Sequence, residues 1–387
     1  MTEQPRTLWQ RFMLDHFRTQ SRLNSIGEVE QLKREEEQLK REAEPPVETA
    51  PYCTTFSGET TPDDADLVRR IARSFRAACA MHTDPAGSFW KSIVEQKKGD
   101  VSAALMNDDI ELATKLLRDP SSTMFHYGFD NLVSDFRDAL KNGGDAAQKQ
   151  QGAVFHIRLV YLAEVIGAIR LANPESRPRA ALDTDILIDG IEGIVGGELS
   201  FPNPFPNEFG IASKRGVASY RAINSLYQAI LLKRYAAGMP SPSVLDIGGG
   251  LGRTAYYAQR FGFEDYTLID LPTTGVAQAY FLGRTLGDDQ ISLHGEERAA
   301  VNMRIPEWLP EAPPVDIVIN VDSFTEMSRG SAETYIQWAK ENAKLLISIN
   351  HEANPFTVRE LMLAAGLSPS RERYWLRDGY VVEVAEL

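Results

Sequence analysis

Residues 244–252, VLDIGGGLG, constrain this chain more than any other stretch. A short apolar run, Val244–Ile247, leads straight into Gly248, Gly249, Gly250 and Gly252, and the following TAYYAQRFG reads as a helix. Glycines at such a point let the backbone turn tightly and let a ligand approach without a Cβ in the way. The first N–H groups of the helix have no partner inside it and face the same place. The texture continues downstream. YTLID (266–270), VDIVINV (315–321) and LLISIN (345–350) are short β-branched runs separated by helical stretches. That alternation predicts a parallel sheet with crossover helices. The ending, YWLRDGYVVEVAEL, predicts two strands around a tight Asp-Gly turn.

The first 235 residues have a different texture. Residues 7–43 read as a helix, with EVEQLKREEEQLKREA rich in charge and only Val29, Leu32 and Leu39 as an apolar stripe. Such a stripe fits a solvated helix with internal ion pairs or a short contact between two subunits, which leaves a homodimer open. Residues 44–64 carry Pro, Thr and Gly without periodicity and read as a linker. Leu67, Ile71, Phe75 and Cys79 then recur every four residues, one face of a helix. Ile93–Leu105, Ile110–Leu117 and Leu132–Leu140 extend the pattern. A polar break, KNGGDAAQ, precedes an apolar helix over about 154–171. GGELSFPNPFPNEFG is the most loop-like stretch, either a substrate-lining loop or a connection packed by Phe201 and Phe205. SYRAINSLYQAILLKRYAAG is the last helix of this region. The division is therefore 1–43, 44–64, a helical region over 65–235 for acceptor binding or oligomerisation, and an α/β domain over 236–387.

A glycine turn alone does not separate ligand classes, because dinucleotide-binding enzymes also have one. Two acids narrow the choice. Asp246 lies two residues before Gly248, where a carboxylate repels a pyrophosphate but can orient a cationic amino-acid ligand. Asp270 ends the next run, 18 residues after Gly252, where a carboxylate can accept both ribose hydroxyls.

With Asp246, Gly248, Gly250 and Gly252 as its first motif and Asp270 as its second, the sequence resembles the class I S-adenosyl-L-methionine (SAM)-dependent methyltransferases. FHYGFD (125–130), GELSFPNPFP and DSFTEM (322–327) are similar to the sugar O-methyltransferase family over most of 65–387. The resemblance implies a Rossmann-like, seven-stranded catalytic domain behind a mostly helical N-terminal region. It implies SAM across the strand ends, near Gly248, Gly249, Gly250, Asp270 and Leu271. ISLHGEE (291–297) is expected as the third strand, with Gly295 and Glu296 flanking the adenine. Residues 320–326 are expected to border the reaction centre, with Asn320, Asp322 or Ser323 at the methionine end. His351, at the end of the fifth strand, and Glu326 are the two candidate bases, with His351 preferred. Tyr220, Arg221 and Phe205 are candidates for substrate contact. His126 and His156 read as core histidines. Asp322, Glu326 and Asp270 admit a divalent metal without requiring one.

Composition excludes several classes. Asp+Glu 54 against Lys+Arg 41 gives a net charge of −13, which does not favour nucleic acid. The two cysteines, Cys53 and Cys79, can form no disulfide framework. No apolar run is long enough to span a membrane, and the N-terminus has no apolar signal core, so a cytoplasmic protein is expected. The reading is methyl transfer to a hydroxyl of a sugar-containing small molecule. N- or C-methylation of a natural product or peptide, and a SAM-fold binding or assembly module, are the alternatives. A nicotinamide-dependent oxidoreductase fails on Asp246 and on the missing hydride-transfer constellation.

Overall fold

The computed structural model describes residues 50–58, 62–83, 89–169 and 182–387. The charged segment 1–43 lies outside them.

Among the described residues the first element is strand β1 (Cys53–Phe56), followed by helices α1 (Ala65–Met81), α2 (Phe89–Lys97), α3 (Gly99–Met106), α4 (Ile110–Arg118), α5 (Ser134–Asn142), α6 (Gly144–Val165) and α7 (Thr184–Val195). Strand β2 (Phe209–Ser213) then pairs with β1, and β3 (Gly216–Ala218) pairs with β2, in a small antiparallel sheet. So part of the expected linker is a strand. Its Thr residues and Phe56 gain a partner more than 150 residues away, which no local pattern announces. In α1 the expected face is buried at Leu67, Ile71 and Phe75, with Cys79 half-buried. Helix α6 starts ten residues before the expected Val154, because KNGGDAAQ bends only at Gly143 and then continues helically.

Helix α8 (Tyr220–Tyr235) starts at Ser219, whose hydroxyl caps the Ala222 N–H. It leads into the main sheet. The elements in order are β4 (Ser243–Ile247), α9 (Arg253–Arg260), β5 (Asp265–Ile269), α10 (Pro272–Leu286), β6 (Ile291–Ser292), β7 (Val301–Arg304), β8 (Val315–Val321), α11 (Ser323–Glu326), α12 (Arg329–Asn342), β9 (Ala343–His351), α13 (Val358–Ala364), β10 (Ser370–Arg373) and β11 (Tyr380–Glu386). Spatially the eight strands run β10-β11-β9-β8-β4-β5-β7-β6. All pairs from β9 to β6 are parallel, and β11 is antiparallel to β9 and β10. This is a Rossmann-like α/β sheet with one strand more than the expected seven.

The extra strand corrects one expectation. The neighbour of β5 is β7, not ISLHGEE, which supplies only the two-residue edge strand β6. Val301–Arg304 is wholly buried. Its charged Arg304 hides the strand in the sequence, because the guanidinium is buried against the carbonyls of Ser292, Leu293 and Glu296. The C-terminal hairpin is also longer than a tight turn. Tyr374 and Leu376 are fully buried between β10 and β11, so the connection folds inward.

The chain runs from β4 outward through β5 to β7 and β6, then returns to β8 on the other side of β4. A crevice opens where strand order reverses, at the carboxyl ends of β4 and β8, and ligands bind α/β sheets there. One apolar core joins the face of α1, helices α6 to α8 and the sheet, so the helical region packs directly over that crevice.

Candidate functional site

A cavity of about 440 Å³ fills the crevice. Its floor is the glycine turn after β4. Gly248 has φ of 75°, which favours glycine, and a Cβ there would collide with Ser323. Gly252, at φ 86°, precedes α9 and gives that helix an uncapped N-terminus. The turn is fixed from both sides. The Gly248 N–H donates to Ile269 O at 2.8 Å, and the Ser323 hydroxyl donates to Ile247 O at 2.7 Å.

Both acids named from the sequence line this cavity. Asp270 accepts the Leu271 N–H at 2.8 Å, the Gly250 N–H at 3.2 Å and the Gln278 side chain at 3.0 Å. Burial pushes its carboxyl up to about 6 against those donors. Asp246 is fully buried, and its Oδ2 accepts the Tyr266 hydroxyl at 2.7 Å. Burial lifts it to about 7, with the Asp270 charge adding to the effect. Its Oδ1 is buried without a partner, which is costly unless a ligand supplies a donor.

The opposite wall comes from the segment after β8. Asp322 sits at φ 66°, a strained position for a residue with a side chain. Its Oδ2 accepts from Arg377 at 2.7 Å, and its Oδ1 is buried and unpartnered. Burial opposes ionisation, yet Arg377 and Arg221 hold this carboxyl below its usual range. Glu326 ends the single turn of α11 and faces the same space. Burial drives it up to about 8, the Asp322 charge adds, and Arg221, Arg377 and the Trp90 side chain oppose.

The helical region closes the cavity. Phe129 and Asp130, from FHYGFD, lie over the glycine turn, with Phe129 Cβ 3.5 Å from where a Gly250 Cβ would stand. Lys98 anchors that loop. Its buried ammonium donates to Phe125 O at 2.7 Å and Tyr127 O at 3.1 Å and sits 4.0 Å from the centre of the Phe129 ring. At the end beyond β7, Glu307 accepts from His82 and from the Thr83 N–H at 2.9 Å each, tying the end of α1 to the sheet.

Several sequence candidates lie elsewhere. Gly295 and Glu296 do not line the cavity, because ISLHGEE is at the sheet edge. Glu296 instead forms a bidentate pair with Arg70 at 2.8 and 2.6 Å. Asn320 is fully buried and uses its amide on Ile247 O, Phe324 N and Asn350, so it braces three elements and has nothing left for a ligand. His351 does not line the cavity either. Its ring packs edge-on against Tyr380 at 5.3 Å and its Nδ1 accepts the Ala353 N–H. Phe205 is core, against His126, Tyr280 and Phe281, which makes GGELSFPNPFPNEFG a packed connection. Tyr220 turns onto Phe155, while its neighbour Arg221 faces the cavity. His156 is a core residue that bonds Leu182 O, and buried His126 is held neutral at about 3 by desolvation. Trp90, Asp130, Arg253, Glu307 and Arg377 line the cavity unannounced by any motif assignment. Only FHYGFD and the residue directly after the glycine turn carried a signal for them.

Among the described residues no group of three or more His, Cys, Asp or Glu is placed to hold a metal ion, and no helix is long and apolar enough to cross a membrane. No family model and no curated protein matches the chain. Solved structures do. The chain is similar to a SAM-dependent methyltransferase from Aquifex aeolicus, at 18% identity over 42% of this chain and 90% of that one, with a TM-score of 0.31. It is similar to magnesium protoporphyrin IX methyltransferase from Synechocystis PCC 6803 with bound SAH, at 13% identity over 43% and 84%, TM-score 0.32. It is also similar to the CcbJ methyltransferase from Streptomyces caelestis, at 11% identity over 42% and 89%, TM-score 0.33.

Proposed function

We propose that this chain is a SAM-dependent methyltransferase that methylates a hydroxyl of a sugar-containing small molecule. The observation that carries the reading is the pair of acids at one glycine turn. Asp270 stands at the end of β5, and Asp246 beneath the turn has an unpartnered buried oxygen. A ribose and a cationic amino-acid ligand together satisfy both. Asp270 and Leu271 would hold the ribose, and Gly248 to Gly250 would leave room for the methionine end. Asp322 Oδ1 is a second free acceptor for an ammonium. SAM, when bound, supplies an electrophilic methyl group on a positively charged sulfur.

The chain's own residues supply position and a base. The helical region covers the turn. Glu326 takes the acceptor's hydroxyl proton at its carboxylate. Its protonated form prevails near neutrality, and a cationic ligand beside it favours the ionised form that takes a proton. Holding donor and acceptor in line contributes roughly 7–11 kcal/mol in favourable cases. A positioned base adds on the order of 10²–10⁴-fold.

Calorimetric titration of SAM into the wild type and Asp270→Ala tests the reading. The expected result is tight binding that the substitution abolishes. A folded wild type that binds no SAM overturns it.

A further inference from the structure

Arg221 is the second residue of α8 and lines the cavity. It has no hydrogen bond and no ion pair among the described residues, and its Nε is buried without a partner. Guanidinium groups are not left bare inside a protein without cause, since each buried donor costs desolvation. Its neighbours do not neutralise it. Asp130 is committed to Arg253 at 2.9 Å and Asp322 to Arg377 at 2.7 Å. Glu326 carries its proton near neutrality. Arg221 is therefore the one guanidinium lining the cavity with no carboxylate bonded to it among the described residues.

The other end is the reverse. Asp246 and Asp270 flank the glycine turn, with no cationic side chain hydrogen-bonded to either among the described residues. The cavity is polar in the charge sense, negative at the turn and positive at Arg221. A carboxylate on the second substrate would meet the unpartnered guanidinium of Arg221. Arg221 lies close enough to Glu326 for its charge to act on that carboxyl. A hydroxyl beside Glu326 and a carboxylate beside Arg221 then belong to one small molecule.

Resting on the donor reading above, we propose that Arg221 is the receptor for a carboxylate of the acceptor, which makes the acceptor an anionic hydroxy compound of the uronic-acid type. A guanidinium suits this role because its planar fork pairs with a carboxylate in bidentate fashion. The donor's methionine carboxylate offers the same chemistry, so the test separates the two sources.

D-glucuronate and D-glucose are titrated calorimetrically into the SAH-saturated protein, wild type and Arg221→Gln. SAH and 5′-methylthioadenosine, which lacks the amino-acid end, are titrated into both proteins alone. The expected result is a preference for glucuronate on the order of 10- to 100-fold in the wild type, lost in Arg221→Gln, with SAH binding equal in the two proteins. Arg221→Lys should restore part of the preference. Equal binding of the two sugars by wild type, or a preference that survives Arg221→Gln, overturns the proposal while SAH binding upholds the donor site. Loss of SAH affinity in Arg221→Gln with methylthioadenosine unaffected overturns it too, by giving the carboxylate to the donor. A wild type that binds no SAH overturns both readings.

Discussion

Arg253 donates from Nε to Asp130 at 2.9 Å, and both side chains are only 3% exposed. This bond ties FHYGFD to the first residue of the helix after the glycine turn. A second arm of Arg253 reaches Glu208 at 2.8 Å, just before β2. One guanidinium thus fixes two separate parts of the helical region onto the donor side of the cavity.

The two arms should not be equal. Arg253 holds the Asp130 carboxyl low despite burial, whereas burial lifts the Glu208 carboxyl above its usual range. Glu208 is already closer to its neutral form, so an amide mimics it better. We expect Asp130→Asn to cost about 3–5 kcal/mol, as breaking a buried pair does, and Glu208→Gln to cost under about 1.5 kcal/mol. Urea denaturation of both variants measures this. Equal losses would mean that the two carboxylates share the charge evenly.

Glu326→Gln is expected to lower kcat on the order of 10²–10⁴-fold with SAM affinity changed less than about threefold. The wild-type rate should rise with pH as Glu326 ionises, since only the carboxylate takes a proton. Without donor that ionisation falls near about 8, and bound SAM should bring it lower. A pH–rate profile without this limb removes Glu326 as the base.

The same group predicts a stability difference. In the unfolded chain Glu326 ionises at an ordinary carboxyl value, and in the folded chain at about 8. Between those values the native state binds more protons than the unfolded one, so this residue's contribution to stability falls as pH rises. Glutamine does not titrate. The melting temperature of Glu326→Gln relative to wild type should therefore climb from pH 5 to pH 8. A constant difference would mean that Glu326 is ionised throughout.

His351→Gln should change kcat by less than about threefold, because the ring rests on Tyr380 outside the cavity. A loss of 100-fold or more in kcat would restore it as a candidate base.

His351 also marks where the sequence stops being legible. Strand ends can be read from runs of β-branched residues, so β4, β5, β8 and β9 were visible, and so were the glycine turn and Asp270. Which way a terminal side chain turns depends on the neighbouring strand. Here β11 pairs Tyr380 with His351 and takes the ring. Strand β7 was hidden because Asn302 and Arg304 are buried through hydrogen bonds rather than by being apolar. The pairings of Arg377 and Asp130 were invisible for another reason. Their partners are 55 and 123 residues away, and no local periodicity encodes such a pair.

Lys98 offers the last test, since it is a lysine only 1% exposed with no carboxylate hydrogen-bonded to it among the described residues. Burial lowers its ammonium to about 7, with the Asp270 charge resisting the shift. The unfolded chain keeps that proton up to an ordinary lysine value, so between pH 7 and roughly 10 the unfolded state binds the extra proton. Stability contributed by this residue then rises with pH, the reverse of Glu326. Lys98→Met removes the titration and leaves Phe125 O and Tyr127 O without their donor. The loss it causes should be larger at pH 9 than at pH 6.5, measured by urea denaturation. The loop over Gly250 should loosen with it, weakening SAM binding at both pH values. An identical loss at the two pH values would mean that Lys98 keeps its charge in place, with the backbone carbonyls and the Phe129 ring as sufficient partners.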